Sequence, residues 1–178
     1  SSGQGSTIVT IAGERLKGGG ETIDSVLLAG IAAQIDSQGS SEIVVTAGIS
    51  DQAVSGGSVV ITSDSGSIVT ALNAWNYETP GVIDSVAPNQ GQNGTVVTIT
   101  GTSLQGHGDS VASVDLAGVD AILLSESDTE VVVVATSSGA QLGAVSLHAD
   151  TGALVTLADS WTYVALGAVT GVDPVSGQ

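Results

Sequence analysis

Gln92-Asn-Gly-Thr-Val-Val-Thr-Ile-Thr-Gly-Thr-Ser-Leu104 is answered near the start of the chain by Gln4-Gly-Ser-Thr-Ile-Val-Thr-Ile-Ala-Gly-Glu-Arg-Leu16. Self-similarity at a fixed spacing is the first thing to settle in a sequence, because it decides how many units the chain folds into. Thr7 matches Thr95, Gly13 matches Gly101, Ala29-Gly30 matches Ala117-Gly118, and Glu42 matches Glu130 at one constant offset. After a two-residue deletion before Leu142, Gly66 matches Gly152, Trp75 matches Trp161 and Tyr77 matches Tyr163. Length changes of this kind belong in loops.

The expected organisation is therefore a first domain over residues 1–79, a second over 80–165, and the start of a third over 166–178. The third is announced by Gly171-Val-Asp-Pro174-Val-Ser-Gly177-Gln178, which matches Ser85-Val-Ala-Pro88-Asn-Gln-Gly91-Gln92. Ser1-Ser-Gly3-Gln4 aligns with Asn89 to Gln92, so the first copy is expected to lack its opening strand and the sequence to be a piece of a longer array.

Composition points to all-β structure. The 178 residues contain 25 Gly, no Phe, no Met and no Cys, and 42% are hydrophobic. Val, Ile, Thr and Ser dominate, and β-branched residues favour the pleated strand. Val97 and Ile99 alternate with Thr98 and Thr100, and Val145 and Leu147 alternate with Ser146 and His148, a period of two that turns one face to a core and one to water. In the complete copy the expected strands are Val82 to Ala87, Thr95 to Thr100, Val111 to Leu116, Ala121 to Leu124, Glu130 to Ala135, Gly143 to Ala149 and Ala153 to Tyr163. About seven short strands per copy, separated by turns, predict a sandwich. Asp64-Ser-Gly66 and Asp150-Thr-Gly152 read as hairpin turns whose Asp bonds its own backbone.

The formal charge is −16, and the only cations are Arg15 and Lys17. Such a surface repels nucleic acid and anionic membranes. No apolar run approaches the ~20 residues of a membrane-spanning helix. Without cysteine there is no disulfide or thiolate chemistry to invoke.

The pattern Val-x-Pro-x-x-Gly-x-x-Gly-Thr-x-Val-Thr-Ile-x-Gly-x-x-Leu is carried here by Val86, Pro88, Gly91, Gly94-Thr95, Val97-Thr98-Ile99, Gly101 and Leu104. It is followed by Val114-Asp-Leu-Ala-Gly118 and closes on Trp161-Thr-Tyr163. This resembles the IPT/TIG family of immunoglobulin-like domains, and the resemblance extends over essentially the whole chain. Leu16 and Leu104, and Trp75 and Trp161, stand where that family often has Phe. The resemblance implies tandem early-set immunoglobulin-like sandwiches of a kind found in cell-surface receptors, extracellular adhesion proteins, some transcription factors and some secreted polysaccharide enzymes. It transfers no catalytic residue.

Candidate sites are few. His107 and His148 align with Gly19 and Thr62, so neither belongs to both copies, and His148 reads as a solvated residue on the outward side of its strand. Asp109, Asp115 and Asp120 align with Glu21, Leu27 and Ala32 and form no calcium-loop motif. No cofactor or metal is expected, and no enzymatic activity. Trp75/Tyr77 and Trp161/Tyr163 share a strand face in each copy and are expected to fill the core. Asn93-Gly94-Thr95 is an N-glycosylation sequon on a turn.

The expected function is a structural or adhesive segment of a large extracellular or cell-surface repeat protein: a stalk, surface adhesin or filament. Its partners would be neighbouring repeats and other copies. The alternative is a carbohydrate-binding or spacer module of a secreted polysaccharide-active enzyme, which exposed Trp75 and Trp161 would favour.

Overall fold

A computed structural model of the chain describes residues 1–171 and 173. Its first half consists of β1 (Ser2–Gly3), β2 (Ile8–Ala12), β3 (Ile23–Leu28), β4 (Ile31–Gln38), β5 (Glu42–Thr46), β6 (Val54–Ser63) and β7 (Ile68–Tyr77). The second half consists of β8 (Val82–Ala87), β9 (Gln90–Gly91), β10 (Val96–Thr102), β11 (Val111–Leu116), β12 (Val119–Asp120), β13 (Ile122–Glu126), β14 (Glu130–Val134), β15 (Gln141–Ala149) and β16 (Leu154–Tyr163). The architecture is all-β and immunoglobulin-like.

In the second half, β13-β14-β10-β8 forms one sheet and β12-β11-β15-β16-β9 the other. Nine strands replace the expected seven because β9 and β12 are two-residue pairings too short to leave a periodic signal. The first half has the order β1-β7-β6-β3-β4-β5-β2. Here β4 pairs with β3 through Ile31 to Ala33 and with β5 from Gln34 onward, so one strand passes from sheet to sheet. No strand in the first half stands where β8 lies in the second, and β2 is a sheet edge. Of the stretch 166–178, residues 166–171 form no strand, and Val172 and Pro174 to Gln178 lie outside the described residues.

Each half has its own core. The alternation described above turns Val97, Ile99, Val145 and Leu147 inward to meet Val114, Leu116, Val131 and Val133. Val26, Leu28, Ile43, Val45 and Ile61 do the same in the first half. Trp161 and Tyr163 are fully buried, with ring centroids 5.5 Å apart and planes at 86°; Trp75 and Tyr77 repeat this at 5.7 Å and 85°. Edge-to-face contact of this kind adds to the area that the rings remove from water.

The stretch around Gln92 is a tight turn before it is a strand. The Gln92 amide donates to Thr95 Oγ1 at 3.1 Å, and the Thr95 amide returns to the Gln92 carbonyl at 3.0 Å. Gly91 permits this, because a Cβ there would lie 2.4 Å from the same hydroxyl. Gln4 and Thr7 make the equivalent pair of bonds at 3.2 and 3.3 Å.

Because the core has no Phe or Met to share the load, truncating one indole leaves a cavity its neighbours cannot fill. Trp161→Ala is expected to cost about 3–5 kcal/mol in chemical denaturation. Leu142→Ala, at a side chain 60% exposed, should stay within about 0.5 kcal/mol.

Candidate functional site

The most elaborated polar arrangement lies between the two halves. Gln4 sits in the turn that precedes β2, and its side chain is carried against the second half. Its Oε1 accepts a hydrogen bond from the Gly81 amide at 2.7 Å, and its Nε2 donates to the Leu154 carbonyl at 3.2 Å. Only 2% of Gln4 remains exposed, so these two bonds replace water that the amide has lost. Beside it the Ile8 amide donates to the Thr151 carbonyl at 2.8 Å. On the other side of the connecting segment, His107 Nε2 donates to the Thr79 carbonyl at 2.7 Å.

The counterpart of Gln4 is Gln92, and its Oε1 accepts from the Gly167 amide at 3.1 Å. Gly167 follows β16 at the position that Gly81 occupies after β7. Half of the same clamp is thus present at the far end of the second half, where Gln92 is exposed.

The sequence-derived candidates are dispersed. His148, half-buried on β15, is not simply solvated: its Nε2 is 3.0 Å from Asp115 Oδ2 on the neighbouring β11. Asp120 stands opposite Asp115 in the β11–β12 register. Asp109 donates its amide to the Asp150 carboxylate at 3.2 Å and lies at a different end of the strands. Among the described residues no three carboxylate or imidazole groups converge on a metal-sized site.

The two turn aspartates serve a different backbone from the one their spacing suggests. Asp64 accepts from the Glu21 and Thr22 amides, and Asp150 from the Asp109 amide, each more than forty positions away in sequence. The carboxylates cap the loop that enters β3 or β11, because the fold brings that loop beside the hairpin. Two further side chains repeat a backbone bond: Gln38 accepts from the Ile23 amide at 2.5 Å, and Glu126 accepts from the Val111 amide.

Trp75 and Trp161 are buried, so neither indole offers a face on which a sugar ring can stack. Asn93 is exposed on its turn. The indole nitrogens, and the phenol oxygens of Tyr77 and Tyr163, are enclosed without a partner of ordinary hydrogen-bond geometry among the described residues. Burial pushes both phenols above the usual tyrosine range, and nearby Thr136 partly offsets this for Tyr163.

Residues 82–163 match the IPT/TIG domain. No curated protein sequence matches the chain. A solved structure of the full extracellular region of plexin A4, domains 1 to 10, is similar to it at 24% identity and a TM-score of 0.55, over 97% of this chain and 16% of that one. A second plexin A4 structure, domains 1 to 8, matches at 25% identity and a TM-score of 0.49, over 92% of this chain and 17% of that one. A surface glycan-binding protein from Bacteroides ovatus in complex with a mixed-linkage heptasaccharide matches at 15% identity and a TM-score of 0.38, over 93% of this chain and 42% of that one. The chain therefore spans about a sixth of the plexin chains.

Folding holds the phenol protons more tightly than the unfolded chain does. Stability is therefore expected to fall as pH rises above the ordinary tyrosine pKa of 10.0, where the unfolded chain ionises first. The Tyr77→Phe, Tyr163→Phe double variant should flatten that alkaline limb in denaturation midpoints taken from pH 8 upward. The second half of the chain carries an IPT/TIG domain, residues 82–163.

Proposed function

We propose that the chain is a non-catalytic spacing segment of a large extracellular protein, built from tandem IPT/TIG domains at residues 1–79 and 80–165, with a third begun at 166–178. The observation that carries this reading is the joint. Gln4 is almost wholly buried and spends both ends of its amide on the backbone of the following half. A directional bond pair of this kind selects one orientation between neighbours, whereas apolar contact alone tolerates sliding.

A stalk, surface adhesin or filament needs such a joint, because its reach depends on the angle between successive domains. The connection itself is short, running from Glu78 to Gly81 between β7 and β8, and contains Pro80. Net charge of −16 favours solubility and disperses exposed β-structure. The buried indoles remove the observation that would have favoured a carbohydrate-binding module. In a host that glycosylates, Asn93 accepts a glycan: intact mass should show the added sugar, and Asn93→Gln should lose it.

Gln4→Ala leaves the Gly81 amide and the Leu154 carbonyl without their partner, a loss of about 1–3 kcal/mol that falls on the joint. Small-angle scattering should show a broader distribution of interdomain distances, and residual dipolar couplings should show partly independent alignment of the two halves. Unchanged couplings in Gln4→Ala would sink the clamp; independent tumbling of the unsubstituted chain would sink the rod.

A further inference from the structure

In the second half, β13 is the outer strand of the sheet β13-β14-β10-β8, and among the described residues it pairs with β14 alone. The matching stretch of the first half is the later part of β4, which from Gln34 onward pairs with β5. An outer strand presents unpaired amides and carbonyls to any other strand that approaches, and proteins guard it with charge, a bulge or a cover. The first half uses charge. Asp36 stands exposed where β4 bulges between Ile35 and Ser37, and it accepts from Gln34 Nε2 at 3.3 Å and from Thr46 Oγ1 at 2.8 Å.

In the second half those three positions are Leu124, Ile122 and Val134. The bulge remains, between Leu123 and Ser125, but the carboxylate is replaced by an apolar side chain. Ile122 stands beside Val134 and Val134 beside Val96, so one apolar row crosses three strands. Ile122 and Leu124 are each 57% exposed and Val96 is 52% exposed. The sandwich does not require this, because the first half forms the same strands with Gln34, Asp36 and Thr46 there. Alongside the row lie Val132, Thr98 and Ala87, again without a charge. In a chain of net charge −16, a face of methyl and hydroxyl groups suits a neutral partner that itself presents C–H and O–H surface, which is the chemistry of a sugar.

A second difference between the halves lies at the end of the same row. Asn93 of the sequon stands where the first half has Gly5, on the turn that leads into β10. That turn is tied to β14: the Gly94 amide donates to the Ala135 carbonyl at 2.9 Å, and the Ala135 amide to the Thr95 carbonyl at 2.8 Å. Asn93 is three residues from Val96, roughly 10 Å along extended chain. Sequon and apolar row thus occur together in the second half, and in the first half, which has no sequon, only Ile8 of the row is apolar.

We propose that an oligosaccharide on Asn93 lies across Val96, Val134 and Ile122 and covers the outer strand β13. It rests on the reading of Asn93 as a glycan acceptor. In the attachment step the Asn93 amide nitrogen bonds to the anomeric carbon of a diphosphate-activated oligosaccharide, and the diphosphate and one amide proton leave. Contact between sugar C–H groups and branched side chains is weak, but a covalent tether makes it intramolecular, at an effective concentration on the order of millimolar. The sugar then does for β13 what Asp36 does for β4: it keeps a further strand from adding to the edge.

The test compares the whole chain secreted by a glycosylating host with Asn93→Gln from the same host. Intact mass reports whether Asn93 carries a sugar. In the glycosylated protein, nuclear Overhauser effects are expected between sugar protons and the methyls of Ile122, Val134 and Val96, and the β13 amides that face away from β14 should exchange several-fold more slowly than in Asn93→Gln. The glycosylated protein should sediment as monomer, whereas Asn93→Gln should associate with rising concentration, more so in added salt, which screens repulsion between the acidic copies. Transferring the first-half residues, Ile122→Gln with Leu124→Asp, should abolish the Overhauser effects in the glycosylated protein and return Asn93→Gln to monomer with both halves folded. A sugar present on Asn93 without those effects, or with unchanged β13 exchange, would overturn the cover. Asn93→Gln that stays monomeric, or whose association survives Ile122→Gln with Leu124→Asp, would overturn β13 as the guarded edge. An Asn93 without sugar would overturn the acceptor reading itself; intact mass reports that before any other readout, so the two failures are distinct.

Discussion

The paired burial of an indole and a phenol on the last strand of each half is the contact on which the rest of the structure depends. In a chain with no Phe, Met or Cys, the inner faces of the sheets are surfaced by Val, Ile, Leu and Ala, which reach only part of the way across the gap of roughly 10 Å between packed sheets. Trp161 and Tyr163 fill that gap from β16, and Trp75 and Tyr77 from β7. Each pair meets edge to face, fixing where the closing strand lies. Because that strand also carries the parallel pairing to β9 or β1, the turn that holds Gln92 or Gln4 is positioned by the same rings.

A consequence is that the joint between the halves is built from the core outward. The Gln4 turn is tied to β7 through β1, and the Gly81 amide and Leu154 carbonyl belong to the start of the second half and to β16. Burying a neutral amide costs free energy unless both its ends are bonded, which is why the arrangement tolerates few orientations. Among the described residues the same side chain at Gln92 is exposed and makes one bond in place of two.

Side chains do much of the work at the strand ends. Asp64 and Asp150 bind the loops that enter β3 and β11, and Gln38 and Glu126 bind the first amide of each of those strands. The carboxylates thus satisfy backbone donors that a short-stranded sandwich leaves open at its rims. Much of the acidity at these rims is accordingly structural: Asp109 gives its amide to Asp150, while Asp115 and Asp120 face each other across β11 and β12.

Periodicity was legible in the residues themselves: the Gln-x-x-Thr turn, the alternation in β10 and β15, and the Trp-x-Tyr ending all follow from local steric and hydrophobic rules that act within a few residues. Those rules are enough for an all-β sandwich and for burial of the four aromatics. They do not reach across the chain. That Asp64 serves Glu21 and Thr22 and not its own turn, that His148 meets Asp115, that β9 and β12 form at all, and that Gln4 bridges to Gly81 and Leu154 depend on which segments the fold brings side by side. The sequence by itself determined the all-β class and the inward faces of the strands, because patterning is local. Tertiary structure alone decided the joint, because hydrogen bonding between segments distant in sequence is a property of the assembled sheets.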